Sequence, residues 1–164
     1  MEKTMAKYKV IIIGGGPAGL TAGLYTSRAG LRSLLVERGA MGGQMVNARL
    51  IENYPGFPEG IAGPELGLLM QRQAARYGLE VASAEVTGVT PRQPYTVSTT
   101  EGIFEAAAII IAAGSEYRKL GVPAEEKLSG HGVSYCATCD GFFFRDRDVA
   151  VVGGGDTAIT DALE

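Results

Sequence analysis

Apolar residues along this chain fall in short blocks whose spacing changes from one block to the next. Tyr8–Ile13 is a nearly continuous, β-branched apolar run that stops at Gly14. Such a run predicts a parallel strand buried on both faces. From Pro17 to Ala29 the apolar positions recur at helical intervals, and Gly30 is placed to end the helix. Ser33–Glu37 predicts a second strand, so the chain opens on a βαβ unit with a right-handed crossover.

Arg38–Gly60 has no periodic pattern and is rich in Gly, Pro and Asn. A loop of that length inside a compact domain usually carries function. Pro64–Tyr77 predicts a helix closed by Gly78. Val81–Val89, Tyr95–Thr99 and Gly102–Glu105 read as strands of a small antiparallel meander, separated by Pro91, Pro94 and Glu101-Gly102. Ala107–Ala113 predicts another buried strand, ending at Gly114. Ser115–Gly130, with Pro123 and several charges, reads as a linker. Asp148–Val152 then predicts a strand, Gly153-Gly154-Gly155 a turn, and Asp156 the start of a helix running to Glu164. The sequence is thus expected to open a second unit of the first kind without completing it.

Composition narrows the classes. The chain has 164 residues, 46% hydrophobic and 20% charged, with a formal net charge of −3. A mildly acidic chain without clustered Lys and Arg argues against nucleic acid. The longest apolar runs, near Val10–Ile13 and Ala106–Ala113, fall far short of the roughly 20 residues a spanning helix needs. No membrane partner is expected, and without a signal-peptide pattern the cytoplasm is the default compartment. Glycine stands out at 24 residues, roughly twice the ordinary share. The glycines cluster where the chain turns, which suits a backbone that comes close to a ligand.

Two of those clusters carry chemistry. Gly14-Gly15-Gly16-Pro17-Ala18-Gly19 is a G-x-G-x-x-G between a strand and a helix. Gly14 permits the tight turn, Gly16 lets a pyrophosphate approach the backbone, and Gly19 allows close helix packing. The helix start offers unpaired N–H groups and the positive end of its dipole. Glu37 ends the following strand, where a carboxylate can accept the hydroxyls of an adenosine ribose. Gly153-Gly154-Gly155-Asp156-Thr157-Ala158 is a G-x-G-x-x-A in the same context. Either could be a plain structural turn. Together they suggest two dinucleotides, one passing electrons to the other.

The chain has two cysteines, Cys136 and Cys139, in Cys136-Ala137-Thr138-Cys139-Asp140. A C-x-x-C at a helix start supports reversible disulfide chemistry, because the helix end lowers one thiol's pKa. As a staple the pair closes only a small loop. As a structural zinc site it needs further ligands, since His131 is the sole histidine; no metal is expected. Asp140 reads either as a carboxyl able to protonate a leaving thiolate or as a helix cap. His131 reads as an exposed loop residue, and Phe142-Phe143-Phe144 as packing or a partner surface.

Gly14–Gly19, Gly42-Gly43-Gln44, Glu52-Asn53-Tyr54-Pro55-Gly56-Phe57, Ser134–Gly141 and Gly153-Gly154-Gly155-Asp156 follow one another as in low-molecular-weight thioredoxin reductases. The chain resembles that family from about Tyr8 onward, most specifically in the cysteine segment. The resemblance implies an α/β fold: a Rossmann-like three-layer FAD-binding domain with a small antiparallel meander over residues 1–115. The start of a Rossmann-like NADPH-binding domain carrying the C-x-x-C would occupy residues 116–164. It further implies that electrons pass from NADPH to FAD, then to a Cys136–Cys139 disulfide, then to thioredoxin or a related small disulfide protein. Gly14, Gly16, Pro17, Ala18, Gly19 and Glu37 would hold the FAD phosphates and ribose. Gly43, Gln44 and Asn53 would face the flavin, Val86 the adenine, and Ala113 and Gly114 the end of the same site. Gly153, Gly155, Asp156, Thr157 and Ala158 would take the nicotinamide nucleotide, with NADH as an alternative to NADPH. Cys139 would lie against the flavin, Cys136 would attack the partner, and Asp140 would be the general acid. Family members are homodimers.

Two departures qualify the resemblance. The family's usual Ala-Thr-Gly before the linker is Ala112-Ala113-Gly114 here, without the threonine hydroxyl. Family members are also about twice as long, and their FAD domain is completed after the NADPH domain, so the chain alone is expected to retain FAD weakly or not at all. The alternatives are an NADH-dependent reductase of a peroxiredoxin system, a dithiol oxidase, or an inactive flavin-binding fragment.

Overall fold

The computed structural model describes residues 6–129, 131–137 and 141–163. Two compact units, Met1–Gly114 and Ser115–Glu164, divide the chain.

The first unit is built on one six-stranded sheet: β1 (Ala6–Ile13), β2 (Ser33–Glu37), β3 (Glu80–Ser83), β4 (Val86–Thr90), β5 (Tyr95–Thr99) and β6 (Gly102–Ile111), in the spatial order β3-β2-β1-β6-β5-β4. β3, β2, β1 and β6 are parallel, with Val10 opposite Ser33 and Ala108, and Ile12 opposite Leu35 and Ile110. β4, β5 and β6 form an antiparallel arm. Side chains alternate along each strand, so the two faces bury different sets. Val10, Ile12 and Leu35 pack with Leu20 of helix α1 (Pro17–Arg28) and with Leu66, Met70 and Ala74 of helix α2 (Gly63–Ala75). Ile11, Leu34 and Val36 face the other way and pack with Ala84, Val97 and Ala106. Helices, parallel sheet and meander therefore make three layers around two cores. The sheet edge is pinned where Glu80 of β3 accepts hydrogen bonds from Tyr8 Oη and Arg32 Nε, both at 2.9 Å.

Three strand expectations change. Val81–Val89 is two strands, not one: β3 joins the parallel edge beside β2, while β4 pairs at the opposite edge. Between them Ala84 is buried and its N–H bonds to the Glu37 carbonyl, so the chain turns without a Gly or Pro to mark the break. Conversely, the predicted strands Gly102–Glu105 and Ala107–Ala113 are one element, β6. Its first half pairs with β5 and its length pairs with β1, so nothing interrupts it at Ala106. Finally, Asp148–Val152 is irregular, with Val149, Val151 and Val152 exposed. A parallel strand needs neighbours for its N–H and C=O groups, and none of the described residues of that unit supplies one.

The long loop also holds more structure than its composition predicted: a 3-10 turn over Gly43–Asn47 and a bridge between Ile51 and Ile61. Among the described residues of the second unit the regular elements with full bounds are α3 (Glu125–Leu128), a 3-10 turn over Gly141–Phe144 and α4 (Asp156–Leu163). Among the described residues no helix is long and apolar enough to cross a membrane.

Candidate functional site

The first fingerprint folds into a cradle made of backbone. Gly14 sits at φ +106°, and a Cβ there would lie 2.3 Å from the Ala112 carbonyl oxygen. Gly19 is more constrained, since its Cβ would lie 1.8 Å from the Gly14 carbonyl oxygen. The first turn of α1 thus rests on the exit of β1. Gly16 is the N-cap residue and supplies no side-chain cap, Pro17 has no N–H, and the first turn holds no acid. The positive end of this helix is left open for an anion.

A second loop closes on the first. Gly42 donates its N–H to the Gly15 carbonyl at 2.8 Å, and a Cβ on Gly43 would lie 3.0 Å from the Gly16 Cα. Gly16 itself has free space: the nearest atom to a Cβ there is the Gly43 Cα at 3.9 Å. Glu37 reaches this turn from the end of β2. Its Oε2 accepts from Gly15 N at 2.5 Å and its Oε1 from Gly39 N at 2.7 Å. A carboxylate has about four acceptor positions, so two remain for a ligand's hydroxyls. A backbone-lined gap beside an uncapped helix start and a carboxylate fits the pyrophosphate and ribose of a dinucleotide such as FAD.

The remaining predicted positions of this unit spread along the rim. Gln44 is exposed on the 3-10 turn, and Asn53 is exposed on the loop that Tyr54 and Phe57 anchor to the helix-side core. Ala113 and Gly114 are exposed at the end of β6, beside the Ala112 carbonyl that underlies Gly14. Val86 opens β4 opposite Thr99, at a bulge. Sequence reasoning missed the glycines that seat the second loop. A Cβ on Gly63 would lie 1.7 Å from the Met45 carbonyl oxygen, and one on Gly67 would lie 3.2 Å from the Gly42 Cα. Their signal was available: two glycines one helical turn apart on one helix face, just after the loop.

The second unit repeats the relation between first and sixth fingerprint positions. Gly153 is at φ +140°, and its Cβ would meet the Ala158 Cβ at 3.1 Å. Gly154 and Gly155 face open space, and α4 begins at Asp156, with Thr157 in its first turn.

Cys136 is disulfide-bonded, and the sequence contains one other cysteine, Cys139. Cys139 and Asp140 lie outside the described residues. Upstream, Cys136 N donates to Ser134 Oγ at 3.1 Å. Tyr135 donates its hydroxyl to Glu125 Oε1 at 2.6 Å, and that carboxylate also accepts from Leu120 N at 2.9 Å and Gly121 N at 2.7 Å. The Tyr135 bond, followed by the Leu120 amide, holds the Glu125 carboxyl below its ordinary pKa, and the same bond raises that of Tyr135. His131 and the rings of Phe142 and Phe143 are exposed. Among the described residues no group of three His, Cys, Asp or Glu side chains could hold a metal.

Comparison with known proteins places the chain. The pyridine nucleotide-disulphide oxidoreductase family matches residues 8–164. The chain is 52% identical to the thioredoxin reductase of Bacillus subtilis over 157 residues, covering 95% of this chain and 49% of that protein. It is 49% identical to the bifunctional thioredoxin reductase/thioredoxin of Mycobacterium leprae, covering 95% of this chain and 34% of that one. Among solved structures, the thioredoxin reductase of Streptococcus pyogenes superposes with a TM-score of 0.79 at 46% identity, over 98% of this chain and 52% of that one. The chain spans about half the length of the thioredoxin reductases it matches.

Two outcomes follow from this geometry. Gly to Ala within a helix ordinarily stabilises by up to about 1 kcal/mol, but Gly19→Ala must push α1 off β1. Overpacking of this kind costs about 1–3 kcal/mol, so urea unfolding of Gly19→Ala should show a lower midpoint, whereas Gly155→Ala, in open space, should not. The second concerns pH. Because the Glu125 carboxyl is held below its ordinary value of 4.5, its stabilisation is present above that value and is lost as pH falls through the folded one. The difference in thermal stability between the natural chain and Glu125→Gln should therefore be largest near neutrality and shrink below pH 4.5.

Proposed function

Because this chain belongs to the pyridine nucleotide-disulphide oxidoreductase family, we propose that it is the N-terminal portion of an FAD-dependent thioredoxin-disulfide reductase. The observation that carries the reading is the disulfide-bonded Cys136, in a chain whose first unit presents a glycine-lined anion cradle. Residues 1–115 are proposed as the FAD domain and residues 116–164 as the start of the NADPH domain.

In this reading Gly14, Gly16, Pro17, Ala18 and Gly19 receive the pyrophosphate of FAD at the start of α1, and Glu37 accepts the ribose hydroxyls. Gly43, Gln44 and Asn53 line the flavin end, Val86 the adenine end, and Ala113 and Gly114 the floor. Gly153, Gly155, Asp156, Thr157 and Ala158 receive NADPH. Held by these residues, the two cofactors would supply the electron pair, and solvent the protons, needed to reduce the Cys136–Cys139 disulfide to a dithiol. The dithiol then acts by exchange. The Cys136 thiolate attacks one sulfur of the partner's disulfide, and Asp140 protonates the partner thiolate that leaves. The Cys139 thiolate next attacks Cys136 in the mixed disulfide, which restores the Cys136–Cys139 bond and frees the partner as a dithiol.

Thioredoxin is the proposed partner, supported by the relatives' names and by the Mycobacterium leprae protein that unites both activities. The full-length protein is proposed to be a cytoplasmic homodimer. In that protein, Cys136→Ser should abolish NADPH-dependent thioredoxin reduction while leaving reduction of the bound flavin by NADPH intact. Both are read spectroscopically, and thioredoxin turnover that survives the substitution would overturn the assignment.

A further inference from the structure

The second unit has an unusual interior. Among its described residues Glu125 alone is buried, at 4% exposure, while apolar side chains such as Leu120, Val122, Leu128 and Val149 are half or more open to solvent or nearly so. A buried carboxylate is costly unless every lone pair it turns inward finds a donor. Glu125 meets that demand with three: the Leu120 amide and the Tyr135 hydroxyl on Oε1, and the Gly121 amide on Oε2. The Tyr135 ring is held as well, stacked on Tyr117 with centroids 5.6 Å apart and planes 15° from parallel. Tyr135 immediately precedes Cys136, whose own N–H is fixed on Ser134 Oγ.

We infer that Glu125 and Tyr135 are positioning residues for the redox disulfide: the carboxylate clamps the chain one residue before Cys136 and thereby favours the disulfide over the dithiol. The inference rests on the redox reading of Cys136 and Cys139. Its physical basis is effective concentration. Reduction by glutathione consumes two glutathione thiols, which deliver two electrons and two protons, and leaves a dithiol and glutathione disulfide. The reverse step requires the two protein thiols to meet. A segment pinned through Tyr135 has less freedom to lose when they do, so the disulfide closes more readily. Freeing Tyr135 from Glu125 gives the dithiol that freedom and shifts the equilibrium toward it.

The test is the thiol–disulfide equilibrium of the purified chain in glutathione redox buffers, read as mass-tagged thiols per chain, beside thermal unfolding of each oxidised protein. Tyr135→Phe keeps the ring on Tyr117 and removes only the hydroxyl. Glu125→Gln keeps the size and loses an acceptor for the three donors. Each should shift the equilibrium toward the dithiol by about tenfold, or about 30 mV for a two-electron couple. The double variant should shift it no further than the larger of the two single shifts, because Tyr135→Phe removes a bond to the group that Glu125→Gln already weakens. Lys127→Ala, an exposed change on the same helix, should leave it unmoved. A Tyr135→Phe protein whose equilibrium matches the natural chain, even if it unfolds at lower temperature, would reduce the clamp to a structural prop and overturn the inference. A natural chain that forms no reducible disulfide in any buffer would instead defeat the redox reading, and the inference with it.

Discussion

The carbonyl oxygen of Gly14 and the Cα of Gly19 sit so close that a Cβ on residue 19 would lie 1.8 Å from that oxygen. Much of the first unit follows from this contact. It sets the first turn of α1 directly on the exit of β1, so the helix dipole points at the ends of the parallel strands. Leu20, one residue on, then drops into the core with Val10, Ile12 and Leu35. The Gly42–Gly43 loop stacks on Gly15 and Gly16, and Gly63 and Gly67 of α2 press against that loop from behind. The resulting cradle is lined by backbone, so that no side chain covers the N–H groups an anion would need to reach.

The second unit reuses the first-to-sixth contact, in a looser form, where Gly153 meets Ala158. Its order otherwise comes from a different source. The first unit buries apolar side chains on both faces of a sheet; the described part of the second gathers around one carboxylate with three donors. Polar anchors of this kind are directional, and breaking one bond leaves the others strained or unpaired. Directional order would suit the proposed role of this segment, the presentation of the Cys136 sulfur.

The parts of the fold legible from sequence were those set by local pattern. β1, α1, β2 and α2 followed from apolar spacing and glycine stops, because each buries a regular stripe. The strands that were misjudged depend on partners remote in sequence. Nothing at Ala84 and Glu85 signals that one apolar run must serve opposite edges of the sheet, and nothing in the sequence shows that β6 runs on along β1 past Ala106, where its pairing with β5 ends. Asp148–Val152 has the composition of a strand but, among the described residues, no neighbour to pair with. For the candidate site, the two fingerprints and the cysteine pair stood out because their chemistry needs fixed spacings. Glu125 and Tyr135 did not, since they act on segments whose path only the fold defines, and Gly63 and Gly67 left only the weak signal of two glycines one helical turn apart.

The proposed role of the Gly14–Gly19 turn, with Glu37 and Gly43, is to receive the diphosphate and ribose of FAD. Its most direct test is a titration of the isotopically labelled chain with FAD, following every backbone amide by NMR, which reads weak binding as well as tight. The account predicts saturable shifts centred on Gly15, Gly16, Ala18, Gly19, Gly39 and Gly43, with no comparable change at Gly102 or Gly121. Shifts centred elsewhere, or no saturable response at the Gly14–Gly19 turn, would contradict it.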